Sequence, residues 1–299
     1  MKKYDPDQWR SHLFDIRGSL VREICFRVAA SVAWSVVVVI LSRQQAWLHF
    51  NLNISPLPHT LIGAALSLLL VFRTNSSYDR FWEGRKLWGA IVNDSRNLAR
   101  SVTVLLAADM RVAREIVQWN VALVWAAANQ LQGVERGPTT IEGLPHDELA
   151  AMASSRQPWL QAARQITRRL RTAQSGGLIT DIQYMYLDQN VQRLVDWIGG
   201  CQRIHNTPLP YAYMVHLRRA LIVYVYTLPF VLVDMFAGWT VLVTLLLNYT
   251  LFGIEEIGVE IEDPFGHDEN DLPLSQFCDT IERDLREMVE TAGNADNRR

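Results

Sequence analysis

The sequence predicts an all-α polytopic membrane protein with four spans and a large helical soluble part. Three observations predict it. The chain has 299 residues, 49% of them hydrophobic, yet its mean hydropathy is close to zero. That balance fits a few spans plus a sizeable aqueous region. Apolar runs lie at about 24–41, 57–72, 220–233 and 239–254. A span needs about 20 apolar residues, fewer when flanking side chains reach the interface. Basic residues crowd the N-terminal segment and the stretch after the second run, while the two intervening outer loops carry only Arg43. By the positive-inside rule this places both ends in the cytosol.

Composition excludes other classes. The net charge of -2 gives no nucleic-acid signal, and no basic aromatic patch appears. Cys25, Cys201 and Cys278 are far apart, which argues against a disulfide framework and for a reducing compartment. The charged N-terminus lacks the apolar core and small-residue cleavage site of a signal peptide, so it is expected to be retained.

In chain order, residues 1–27 hold Lys2, Lys3, Arg10, Arg17, Arg22 and Arg27, with Trp9, Leu13, Phe14 and Ile16 as an apolar side. They read equally as a short interfacial helix or a solvated tail. Span 1 begins at Val28, or at Ile24 if Arg27 snorkels. Trp47 lies where an aromatic belt would be. Residues 42–57 form a short outer loop. Span 2 is short and rich in small residues, Gly63, Ala64, Ala65 and Ser67, which suits a helix facing other helices.

The helix then runs on into the charged, aromatic stretch FRTNSSYDRFWEGRKLWG, from Phe72 to Gly89. A helix can leave hydrocarbon for water because its backbone hydrogen bonds are internal. Arg73, Arg80 and Glu83 are expected to tie neighbouring subunits. Residues 73–219 and 255–299 form the cytosolic part. Residues 115–132 predict a buried soluble helix, since Gln118, Asn120 and Asn129 interrupt the apolar run. Gly133 to Pro145 is a loop by its Gly and Pro content. Residues 147–172 predict one helix, broken at Ser175-Gly176-Gly177, and residues 178–204 another. Spans 3 and 4 follow, joined by a minimal turn at 234–238, with Asp234 a solvated acid at the outer interface.

No metalloprotease, hydrolase or phosphate-loop signature occurs, and the seven histidines make no zinc spacing. Cys201 and His205, four apart, could form a thiol–imidazole pair, but a Cys beside a Gly pair reads first as packing. The run Glu260, Glu262, Asp263, Asp268, Glu269, Asp271 reads as a solvated acidic loop or as oxygen ligands for a hard cation. A membrane-bound metal-dependent enzyme and a non-conducting scaffold are the rival functions.

The stretch at 72–89 resembles the bestrophin family, in particular its bacterial branch. GCQRIHNTPLPYAY at 200–213, IEDPFG at 261–266, NDLPL at 270–274 and the RSHLFDIRGS start agree with it. The resemblance covers residues 1–299 as a single bestrophin-like domain. It implies a homopentameric ion channel in the cell (inner) membrane, passing small monovalent ions, chloride or a cation, with the chain itself and the lipid bilayer as partners. It implies a pore neck at Ala64, Leu68 and Phe72, and a cytosolic aperture ring at Ile182, which on sequence alone reads as core. Ala64 is smaller than the bulky residue the family pattern calls for. Animal members bind calcium through acids after the NPFG-like motif. Asp268, Glu269 and Asp271 would be the ligands here, although His267 replaces the first acid and Asn270 interrupts the run.

Overall fold

The computed structural model describes residues 20–44, 55–134, 141 and 143–296. The N-terminal segment as far as residue 19, Trp47 and most of the first outer loop lie outside the described residues. Among the described residues there is no strand. The helices are α1 (Val21–Arg43), α2 (Pro56–Leu105), α3 (Met110–Leu131), α4 (His146–Ala153), α5 (Pro158–Ser175), α6 (Asp181–Asn206), α7 (Tyr211–Phe236), α8 (Thr240–Glu260) and α9 (Leu274–Asp296).

The chain divides into two compact units. One comprises residues 1–81, 208–263 and 268–270, the other 82–207, 264–267 and 271–299. In the first unit three stretches are long and apolar enough to cross a membrane: Val21–Arg43, part of Pro56–Leu105, and Tyr211–Glu260. The last is divided into α7 and α8 by a 3-10 turn, Ala237–Trp239. The sequence placed that turn at 234–238, but α7 continues through Phe236. It ends where Ala237 adopts φ 46, a conformation an L side chain tolerates poorly. Ile24 and Val28 of α1, Leu66 and Leu70 of α2, Leu217, Leu221 and Val225 of α7, and Phe252 of α8 form this unit's apolar core.

A second seam in this unit is polar. Ser31 and Ser35 of α1 meet Thr244 and Asn248 of α8, all four buried. Asn248 Nδ2 donates to Ser31 Oγ at 2.9 Å, and Ser35 Oγ to Thr244 Oγ1 at 3.3 Å. The four-residue spacing on both helices puts small side chains on facing ridges. That permits close approach and satisfies hydroxyls that hydrocarbon could not.

α2 runs unbroken for 50 residues, about 75 Å at 1.5 Å per residue. Up to Ser95 its buried positions are His59, Leu66, Leu70, Arg73, Ser77, Gly84, Trp88, Ile91 and Ser95, and beyond it Leu98, Ala99, Ser101, Val102 and Thr103 are all buried. Within the first unit, Leu66, Leu70, Arg73 and Ser77 follow steps of four, three and four, the spacing that keeps one face of a helix turned inward.

In the second unit α3 is buried on most of its circumference, as its sequence predicts, and packs against α5 and α9. Asp109 caps it by accepting from the Arg111 and Val112 amides. The single helix expected over 147–172 is two helices. Pro158 sits at the first turn of α5, where its missing amide proton costs nothing, and it cannot continue α4.

Candidate functional site

Ala64, Leu68 and Phe72 lie four apart on α2 and are all exposed, Leu68 and Phe72 to 55%. Leu57 and Leu61 extend the row toward the start of the helix, also exposed. The opposite face holds Leu66 and Leu70 in the core. An apolar row left uncovered along a membrane-length helix is free to face lipid, a partner surface or a lumen.

Arg73 follows Phe72, and one residue of rotation, about 100°, carries it to the opposite environment. It is 0% exposed. Its Nη1 donates to Glu255 Oε1 at 2.8 Å and to the Glu255 carbonyl at 3.1 Å, and its Nη2 lies 3.9 Å from a Glu262 carboxylate oxygen. Glu255 also accepts from Arg27 Nη1 at 3.0 Å and from Arg218 Nε at 3.2 Å. Arg27 pairs with Glu256 as well. One buried carboxylate therefore ties α1, α2, α7 and α8 together. Burying these charges is tolerable only because they are paired. Gly258 lies beside Arg73, where a Cβ would meet its side chain at an ordinary contact distance of 3.4 Å.

The sequence assigned Arg73, Arg80 and Glu83 to contacts between subunits. Their partners lie within the chain: Arg73 on Glu255, Arg80 Nε on the Glu262 carbonyl at 2.9 Å, and Glu83 on Arg203 at 2.6 Å. Sequence reasoning missed Glu255. The signal available was an acidic pair closing the last apolar run.

Ile182 occupies the second position of α6, inside a capping box. Gln183 N donates to Thr180 Oγ1 at 3.2 Å, and Thr180 N to Gln183 Oε1 at 2.8 Å. Gly177, at φ 75, lets the chain turn out of α5 first. Ile182 is 80% exposed, with Met185 and Tyr186 exposed beside it. In the protomer it belongs to no core. Hydrogen bonding to Ser101 and Arg100 lowers the Tyr186 phenol below its usual range.

Of the three acids, Asp268 and Glu269 are exposed and Asp271 is buried, with 4% exposure. Asn270 donates to Glu260 Oε2 at 2.9 Å, and the His267 ring sits 2.9 Å from the Gln132 carbonyl. Among the described residues no three His, Cys, Asp or Glu side chains gather to hold a metal. Cys201 is buried, and burial, with a smaller contribution from Glu83, pushes its thiol up to about 12. A nucleophilic thiolate requires the opposite shift.

Three comparisons bear on these residues. The profile described as bacterial/fungal bestrophin protein matches residues 1–287. A voltage-dependent anion channel-forming protein of Nostoc is 36% identical over 290 residues, covering 96% of this chain and 93% of that one. A protein of the same description from Escherichia coli is 29% identical, covering 96% and 94%. The crystal structure of a bacterial bestrophin homologue from Klebsiella pneumoniae superposes with a TM-score of 0.82 at 31% identity, covering 89% of this chain and 98% of that one.

Proposed function

The chain belongs to the bacterial and fungal bestrophin family, and from that premise we propose that five copies assemble around an axis lined by the exposed row of α2. The protein is a membrane ion channel and not an enzyme. In the proposed assembly each subunit crosses the inner membrane four times, through α1, the first part of α2, α7 and α8, with both termini cytosolic.

The observation that carries this reading is the division of α2 between two environments. Leu68 and Phe72 are uncovered, while Arg73, the next residue, is wholly buried in ion pairs. The buried pairs fix the rotation of the helix and turn the apolar row away from the protomer's core. Five copies of Ala64, Leu68 and Phe72 then make an apolar neck that gates by wetting and dewetting. Ile182 supplies a second constriction at the cytosolic aperture. The permeant species are small monovalent ions, and the names of the relatives support anions among them.

Reconstitution into planar bilayers with asymmetric salts tests this. Purified protein should be pentameric by native mass spectrometry and pass current, and Phe72→Ala should raise the current. A monomer, or a pentamer that passes none, refutes the reading.

A further inference from the structure

The stretch from Arg73 to Lys86 carries six charged side chains. Five are engaged within the chain. Arg73 is bound to Glu255, Arg80 to the Glu262 carbonyl and Glu83 to Arg203. The Arg85 guanidinium lies 5.1 Å from the Phe277 ring centre, and Lys86 Nζ lies 5.6 Å from that of Trp82. Asp79 alone is exposed with no hydrogen bond or ion pair among the described residues.

Its place on α2 is specific. Asp79 follows Phe72 by seven residues, which on a straight helix returns to the same face within about 20° and about 10 Å further along the axis. Asn75, one turn after Phe72, is exposed as well. The row that begins with apolar side chains thus turns polar and then anionic, while the seam behind it stays buried through Arg73 and Ser77.

We propose that Asp79 is a specificity-determining residue, a ring of five carboxylates on the cytosolic side of the neck that shifts permeation toward cations and so limits the anion share that the relatives' names support. This rests on the pore assignment made above. The neck carries no formal charge, so an unpaired charge just beyond it biases what gathers at its mouth. A passage lined by one sign of charge enriches counter-ions by about 10-fold or more. The separation from Phe72 is comparable to the Debye length of about 8 Å at physiological ionic strength, so the ring is felt at the constriction in dilute salt. In about 1 M salt, where that length falls to about 3 Å, its influence fades.

The test is the reversal potential of reconstituted channels in asymmetric potassium chloride. Asp79→Asn preserves shape and removes charge. It should move the cation-to-anion permeability ratio toward anions by roughly tenfold, and Asp79→Lys should move it further. Both shifts should shrink in concentrated salt. Asp147→Asn removes an exposed carboxylate on α4 and should leave the ratio where it was. A conducting wild type whose ratio is unmoved by Asp79→Asn overturns this inference alone. So does loss of the pentamer in Asp79→Asn, which would make Asp79 a contact between subunits. Wild-type protein that passes no current overturns the pore assignment, and this inference with it.

Discussion

The Tyr224 phenol lies across Gly63. A Cβ built on Gly63 would stand 2.7 Å from the Tyr224 hydroxyl oxygen and 3.1 Å from the ring carbon that bears it. The ring cannot swing freely, because it stacks on His59 with centroids 4.7 Å apart and planes 19° from parallel. Gly63 is what lets α2 and α7 meet at this distance. Gly63→Ala gains about 0.5–1 kcal/mol of helix propensity and loses about 1–3 kcal/mol to overpacking, so the net is a lower melting temperature in detergent. Tyr224→Phe added to it removes the nearest atom and should recover part of the loss. A double variant no better than the single one refutes the steric account.

Arg73→Met leaves the Glu255 carboxylate with Arg27 and Arg218, both partly exposed. Stranding a buried charge costs about 3–5 kcal/mol, and the remaining partners hold this case to the lower end. Removing both members is gentler, since apolar replacements of similar volume are often neutral. The melting temperature of Arg73→Met should therefore lie below that of the Arg73→Met, Glu255→Leu pair. The reverse order would show that the carboxylate does not need Arg73.

Ile182→Ala should raise single-channel conductance and leave the melting temperature nearly unchanged. At 80% exposure in the protomer, its truncation falls in the range of surface changes, about ±0.5 kcal/mol. A core isoleucine would lose about 2–5 kcal/mol. Lost stability without gained conductance would return Ile182 to a packing role.

Cys201 should resist maleimide at pH 8 in the folded protein and react after denaturation. Its folded thiol sits at about 12, while an unfolded one titrates near 8.5. The unfolded state therefore releases its proton first. The contribution to stability is full below the unfolded value and is lost as pH rises toward the folded one. An alkaline melting series should show that decline for the wild type and a smaller one for Cys201→Ala.

The apolar runs made the spans legible, since a stretch such as Val28 to Leu41 carries its own evidence. The placement of Ala64, Leu68 and Phe72 on one face was legible for the same reason, because helical spacing is a local property. What escaped was long-range. Arg73 and Glu255 are 182 residues apart, and no periodicity links them, so the charged stretch read as glue between subunits. The break before Pro158 escaped for a local reason. The flanking residues keep helical periodicity on both sides, and only the missing amide of Pro158 marks the new start. The exposure of Ile182 was not legible, since its neighbours in sequence read as core.

The polar seam between α1 and α8 has a consequence for synthesis. Ser31 and Asn248 are 217 residues apart, so at about 5–20 residues per second the first helix waits roughly 10–40 s for its partner. During that interval Ser31 has only the carbonyl of its own helix, at Val28, to satisfy it. The closing step of the transmembrane unit thus falls at the end of translation. A chain that stops before α8 lacks Asn248, and Ser31 keeps only its bond to Val28.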